Sequence, residues 1–231
     1  MLNPEVLRNV NIHTHDLHQD CETNIALINI FAHEPEKILT GPSMCYYTIG
    51  LHPWYLKKTS IESALKSMEE AVGLEQVIAF GEAGIDKAID TEQQWQEEAF
   101  VAQVQLSEKW KKPLIIHCVK AFNDLLRIRK ETRSEMPWIF HGFNGNRQIA
   151  EDLVAHNCYL SFGKWIMRGH EKTVDVFRNE PADHFFCETD EEDLMIEDVY
   201  AEGARLRGCT PGELQKQMLH NFNSCFFDEH D

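Results

Sequence analysis

Eight short runs rich in β-branched and aromatic residues alternate with longer amphipathic stretches from one end of the chain to the other. That alternation calls for parallel strands joined by helical crossovers, which few folds provide. The strand candidates are Val10–His15, Asn24–Ile30, Cys45–Leu51, Val77–Glu82, Leu114–Cys118, Trp138–His141, Tyr159–Phe162 and His184–Glu188. Helical patterns fall at Ile61–Val72, Thr91–Lys111, Phe122–Arg133, Arg147–His156, His170–Asn179, Ile196–Arg207 and Pro211–Asn223. Start signals agree with these spans: Ser60 precedes Ile61, and Thr210-Pro211 with Glu213 reads as a cap, a first-turn proline and a capping box. Pro113 marks a firm boundary before LIIHC, because a helix must end before it. Eight such units in 231 residues predict an α/β fold, a compact (β/α)8 TIM barrel forming one domain over residues 1–231. The crossover between strands two and three is shortened: Phe31–Met44 contains Pro35 and Pro42 and has no room for a full helix.

Charge narrows the choice of partners. The chain has 22 basic and 38 acidic residues, a net charge of −16. Such a field works against an electrostatic grip on nucleic acid or an anionic membrane, so a polyanionic substrate needs local cations. No apolar run approaches the roughly 20 residues a spanning helix needs, and MLNPEVLRNVN lacks the basic-then-apolar pattern of a signal peptide. The expected location is the cytoplasm, with no membrane partner and no obligate protein partner. Seven scattered cysteines without a CxxC pair read as reduced, mostly buried thiols.

Histidines and carboxylates gather at the predicted strand ends. His13-Thr14-His15 closes strand one, and alternation sends both imidazoles to one face. Glu82 ends strand four in FGEAGID, His117 strand five in LIIHC and His141 strand six in WIFHGF, and Asp190 follows strand eight in FFCETD. In a barrel these ends form one face, where active sites of this fold are built. Any one of these groups alone is ordinary: a histidine in an apolar strand is usually a satisfied core residue, and a lone carboxylate often caps a helix. Six landing together at one end point to metal. Four imidazoles and two carboxylates exceed one tetrahedral ion and suit two divalent cations with a shared ligand. The nitrogen and oxygen donors favour zinc, manganese, cobalt or nickel and admit magnesium weakly. Cys118 is expected on the opposite strand face, in the core.

The ordered set NIHTH, GLHPW, FGEAGID, PLIIHC, FHGFNG, YLSFG, ETD and a final helix with HNF resembles the TatD-like metal-dependent hydrolases of the amidohydrolase group, over nearly the whole chain. The resemblance implies that His13 and His15 hold one metal with Asp190, that Glu82 bridges, and that His117 and His141 hold the second. The two divalent cations are then Mg2+, Zn2+ or Mn2+. It implies hydrolysis of a phosphodiester by an activated water, with Asp190 as proton acceptor and Glu82 also catalytic. His52 in GLHPW matches a position near the substrate phosphate. The activity implied is that of a 3′ to 5′ deoxyribonuclease on DNA ends or short oligonucleotides; the alternative is an ester or amide hydrolase such as an aminoacyl-tRNA deacylase.

The chain departs from the family pattern in two places. After ETD it reads Glu191-Glu192-Asp193-Leu194 in place of Ser-Pro-Tyr-Leu, which puts carboxylates at the mouth. Lys120 stands in the stretch after His117 where an arginine is common, and Lys87 follows Asp86. Lys87 and Lys120 are expected to bind substrate, within a cationic rim that also includes Lys164 and Arg168; lysine supplies a point charge without the fork of arginine. Trp54, Tyr55, Phe143 and Trp165 are candidates to stack on a base. Phe226 and Phe227 are expected either to dock on the barrel or to contact a second subunit.

Overall fold

Strands covered on both faces must be apolar nearly throughout, and the sequence obeys this: all ten residues of VIAFGEAGID are buried. In the computed structural model, which describes residues 8–57 and 60–227, eight parallel strands close into a barrel in sequence order. They are β1 (Val10–Thr14), β2 (Ile25–Phe31), β3 (Tyr46–Gly50), β4 (Val77–Asp86), β5 (Leu114–Val119), β6 (Trp138–Phe140), β7 (Cys158–Phe162) and β8 (Phe185–Cys187). The seam is closed by β1 and β8, with Asn11 opposite Cys187. The start of MLNPEVLRNVN, residues 1–7, and the acidic end, residues 228–231, lie outside the described residues.

The helices are α1 (Lys37–Thr40), α2 (Ile61–Ala71), α3 (Gln93–Trp110), α4 (Phe122–Thr132), α5 (Arg147–Val154), α6 (Lys164–Met167), α7 (Glu171–Asn179), α8 (Ile196–Arg207) and α9 (Pro211–Phe226). Local chemistry sets their ends. Ser60 Oγ accepts the Ser63 N–H at 3.1 Å, Asn146 Oδ1 accepts that of Ile149 at 3.0 Å, and Thr210 and Glu213 form the reciprocal box. The β2–β3 crossover holds only the single turn α1. The single turn α6, which the sequence pattern does not reveal, follows β7 at the C-terminal end of the strands.

Several expectations change. Strand β4 runs on to Asp86, so Glu82 lies within it. Strand β6 is only three residues, which puts His141 in the turn beyond it, while Asp190 lies past β8 as expected, in an isolated bridge to Thr14. Cys21 and Cys45 form a disulfide with Cα atoms 5.3 Å apart, so these two are not reduced thiols. The two lie just before β2 and β3, whose side-by-side pairing brings them together. Disulfides are rare in reducing compartments, so the cysteines no longer argue for the cytoplasm. Among the described residues, no helix is long and apolar enough to cross a membrane.

The core fills the barrel and the layer under the helices. Phe162 joins three elements, packing on Phe143, Phe177 and Phe185 with ring centroids 4.7–5.6 Å apart. Phe143 is therefore core. The last helix docks on the barrel: Asn221 donates to the carbonyls of Ala182 and Phe185, Phe226 packs on Phe222, and Phe227 reaches Tyr46. Tyr200 pins α8 to β1 through both polar groups of Val10.

Candidate metal centre

Backbone parity brings the first pair of imidazoles together. His13 ends buried inside the barrel and His15 sits just past β1, and their Nε2 atoms lie 3.5 and 3.4 Å from Oε2 of Glu82. On the other carboxylate oxygen, Oε1, converge His117 Nδ1 at 2.7 Å, His141 Nε2 at 2.6 Å and His52 Nε2 at 3.3 Å. One buried carboxylate thus faces five imidazoles. Close backbone packing around β4 makes this possible: a Cβ on Gly84 would collide with the carbonyl of His117, and one on Gly50 would meet Gly81.

Asp190 completes the ring from the far side of the seam. Its backbone is left-handed, φ 55°, a region aspartate tolerates better than most residues. The conformation is held by its N–H donating to the His13 carbonyl at 3.0 Å and its carbonyl accepting from His15 at 3.3 Å. Its Oδ1 then stands 3.6 Å from His13 Nε2, and Oδ2 3.2 Å from Lys164 Nζ.

Charge and burial divide the site. Burial, with the His141 charge added, pushes the His13 pKa down to about 4, so this ring is neutral. Burial opposes charge on His141 too, but the Glu82 carboxylate outweighs it and lifts His141 to about 10. Glu82 is correspondingly held well below the usual carboxylate range: burial works against its charge, and the charges of His141 and His52 with the hydrogen bond from His117 prevail. Asp190 is lowered as well, because His141, His13 and Lys164 outweigh its burial.

The donor set fits divalent cations. Both ring nitrogens of His13 and Nδ1 of His141 are buried without a hydrogen-bond partner, an arrangement that ordinarily costs stability and that a cation taking one nitrogen of a ring would partly remedy. Three groups have ligand atoms mutually within 4.8 Å: His13, His15 and Glu82; His13, His141 and Asp190; and His52, Glu82 and His117. All six sequence-predicted ligands belong to one or more of these groups. The third also draws in His52, and the second seats His141 beside Asp190, which the sequence pattern had not indicated.

The remaining predicted residues divide. Lys164, Trp54 and Trp165 line the cavity above the ligands, about 240 Å³ in volume. Lys87 and Lys120 do not line it: Lys87 pairs with Asp124 at 2.5 Å, and Lys120 is exposed. Arg168 pairs with Glu192 at 2.7 Å, while Glu191 reaches the cavity. Cys118 is half-buried at the cavity wall rather than sealed in the core. Tyr55 packs on Phe31 and His33 beside the cavity.

Three supporting residues escaped the sequence reading. Asp86 accepts from His117 Nε2 at 3.2 Å. Asn29 accepts the Glu82 N–H. Glu188, with its carboxyl pushed up to about 7 by burial, accepts the Gly142 N–H at 2.6 Å and so steadies the turn that carries His141. Strand parity points to Asp86, since Glu82, Gly84 and Asp86 alternate on one face.

The family model for TatD-related DNases matches residues 26–227. This chain belongs to that TatD-related family. YabD of Bacillus subtilis, named an uncharacterized metal-dependent hydrolase, is 33% identical over 148 residues, covering 63% of this chain and 58% of YabD. The chain thus aligns with less than two thirds of that relative's length. TatD of Erwinia tasmaniensis, named a 3'-5' ssDNA/RNA exonuclease, is 29% identical over 216 residues, covering 80% of this chain and 79% of that protein. The crystal structure of YJJV, a TatD homolog from Escherichia coli, superposes with a TM-score of 0.84 over 96% of this chain and 98% of its own, at 21% identity. The relatives matched are thus named as metal-dependent hydrolases and as exonucleases.

Proposed function

We propose that the chain is a phosphodiesterase dependent on two divalent cations, removing nucleotides from the 3′ ends of single-stranded DNA or short oligonucleotides. The observation that carries this reading is the double use of Glu82, whose Oε2 faces His13 and His15 while Oε1 faces His117 and His141. His13, His15 and Asp190 would hold one ion, His117 and His141 the other, and Glu82 both. Nitrogen and oxygen donors without thiolate suit Zn2+ or Mn2+ better than Mg2+. When bound, the cations supply Lewis acidity that stabilises charge on the phosphoryl oxygens and lowers the pKa of a water.

The chain's own residues do the rest. Asp190, ionised and facing the cavity, orients the attacking water and accepts its proton. Lys164 is the cation nearest the ligands and meets the incoming phosphate. The indoles of Trp54 and Trp165 flank the cavity and offer faces for a terminal base. The names of the exonuclease relatives support this substrate class.

A second reading, an ester or amide hydrolase such as an aminoacyl-tRNA deacylase, has one observation in its favour: Glu191 lines the mouth, and Lys164 is already paired with Asp190 and Glu192. Metal analysis of the purified protein, run with hydrolysis of end-labelled single-stranded oligonucleotides in Mg2+, Mn2+ or Zn2+, separates the two. Two ions with stepwise shortening from the 3′ end support the nuclease; two ions without shortening refute it and favour the second reading. The expected location is the cytoplasm, which fractionation of the source cells checks.

A further inference from the structure

Trp54 makes two hydrogen bonds that reach two different imidazoles of the site. Its backbone N–H donates to Nδ1 of His52 at 3.2 Å, which makes His52 the cap of the turn Pro53–Tyr55. Its indole Nε1–H donates to Oδ2 of Asp86 at 2.8 Å, and the same oxygen accepts from Nε2 of His117 at 3.2 Å. Asp86 is buried and fixed from its other side, where Oδ1 accepts the Ala88 N–H at 2.8 Å.

These bonds decide where the ring protons sit. An ionised carboxylate only accepts, so the Asp86 contact keeps a proton on Nε2 of His117 and leaves Nδ1 as the nitrogen that gives up its proton to a cation. A ring nitrogen that accepts a backbone N–H is bare, so the proton of neutral His52 sits on Nε2, the atom that faces Glu82 at 3.3 Å. The two rings, 4.3 Å apart, therefore carry their proton on the same atom but turn opposite ends to the site. Distance alone would admit His52, Glu82 and His117 as one ligand triad; the hydrogen bonds do not.

We propose that Trp54 and Asp86 are positioning residues: their hydrogen bonds fix the ring protons of His117 and His52, and so separate a ring free to coordinate through Nδ1 from one that is not. This rests on the metal-centre reading above, and it places the difference between ligand and non-ligand in residues that touch no metal. Partners of this kind, which hold the far nitrogen of a metal-bound imidazole, typically matter 10- to 100-fold for affinity.

Imidazole nitrogen NMR of the zinc-loaded, full-length chain tests it directly. The expected spectrum has His117 coordinated at Nδ1 and protonated at Nε2, and His52 protonated at Nε2 with an uncoordinated Nδ1. Coordination of His52, or of His117 through Nε2, overturns the proposal. Zinc titration supplies the second readout. Asp86→Ala should weaken binding about 10- to 100-fold, Asp86→Asn, which keeps an acceptor oxygen, should recover part of the loss, and His52→Ala should keep zinc stoichiometry and affinity as they are. Wild-type affinity in Asp86→Ala, or an ion lost in His52→Ala, overturns it as well. Neither readout uses substrate: a chain that binds zinc with the expected spectrum yet leaves oligonucleotides intact refutes the nuclease and sustains this inference, whereas a chain that takes up no zinc overturns both.

Discussion

The side-chain oxygen of Asn29 accepts the backbone N–H of Glu82 at 2.7 Å and, at 2.8 Å, the hydroxyl of Thr48. One amide on β2 thus ties β3 and β4 together directly beneath the carboxylate that both halves of the site share. None of these three residues is more than 4% exposed, so water cannot replace the bonds.

Asn29→Ala should therefore leave two buried donors unmet, at a cost of about 1–3 kcal/mol each. Thermal unfolding should show this as a drop in Tm of roughly 2–4 °C for each kcal/mol lost. An unchanged Tm would mean that the strand ladder alone holds Glu82.

Asp190→Asn keeps the size and left-handed turn of the residue and removes its ability to take a proton. Hydrolysis should fall about 10²- to 10⁴-fold with the fold intact, as followed by single-turnover kinetics beside circular dichroism. Full activity in the variant would remove Asp190 as the base.

The metal-free protein should lose stability as pH rises from 6.5 to 9. His141, lifted to about 10, and His117, also raised, keep their protons in the folded chain while their unfolded forms release them near 6.5. The folded state then binds more protons than the unfolded state, so stability falls with rising pH. His13 and His52, both lowered, oppose this only near pH 6.5, where their unfolded forms still release protons, and are neutral in either state at the upper end of the window. Tm measured in a chelator across this window checks the sign. Zinc must displace these protons, so its apparent affinity should rise over the same range.

Neutralising the acidic mouth should help a nucleic-acid substrate. Glu191→Gln with Glu192→Gln should lower KM for a single-stranded oligonucleotide, most clearly at low salt, with kcat unchanged. Steady-state kinetics at two ionic strengths reads this, and a neutral ester substrate should show no such change.

The barrel was legible because alternation at two periods survives any detail of packing, and the six ligand-type residues were legible because each is a polar group that interrupts or closely follows an apolar strand. Boundaries were not: the glycines of FGEAGID look like a turn, yet they sit mid-strand because β4 packs against Gly50 and the His117 carbonyl. Asp86 carries no such signal, because it lies beyond the strand end expected at Glu82. The Cys21–Cys45 bond depends on β2 and β3 lying side by side, which spacing along the chain does not reveal. Lys87 was read by nearness in sequence to the site, whereas its side chain turns to Asp124.

The seam between β1 and β8 gives the site an all-or-nothing character. Asn11 and Thr189 exchange two hydrogen bonds across it, and the Asp190 N–H reaches the His13 carbonyl. Closing so long a loop is entropically slow, and until it closes His13 and Asp190 have no reason to be near each other. An open barrel, whether still folding or transiently unzipped at this edge, lacks the Asp190 half of the candidate centre, so under the proposed function hydrolytic competence would report directly on complete ring closure.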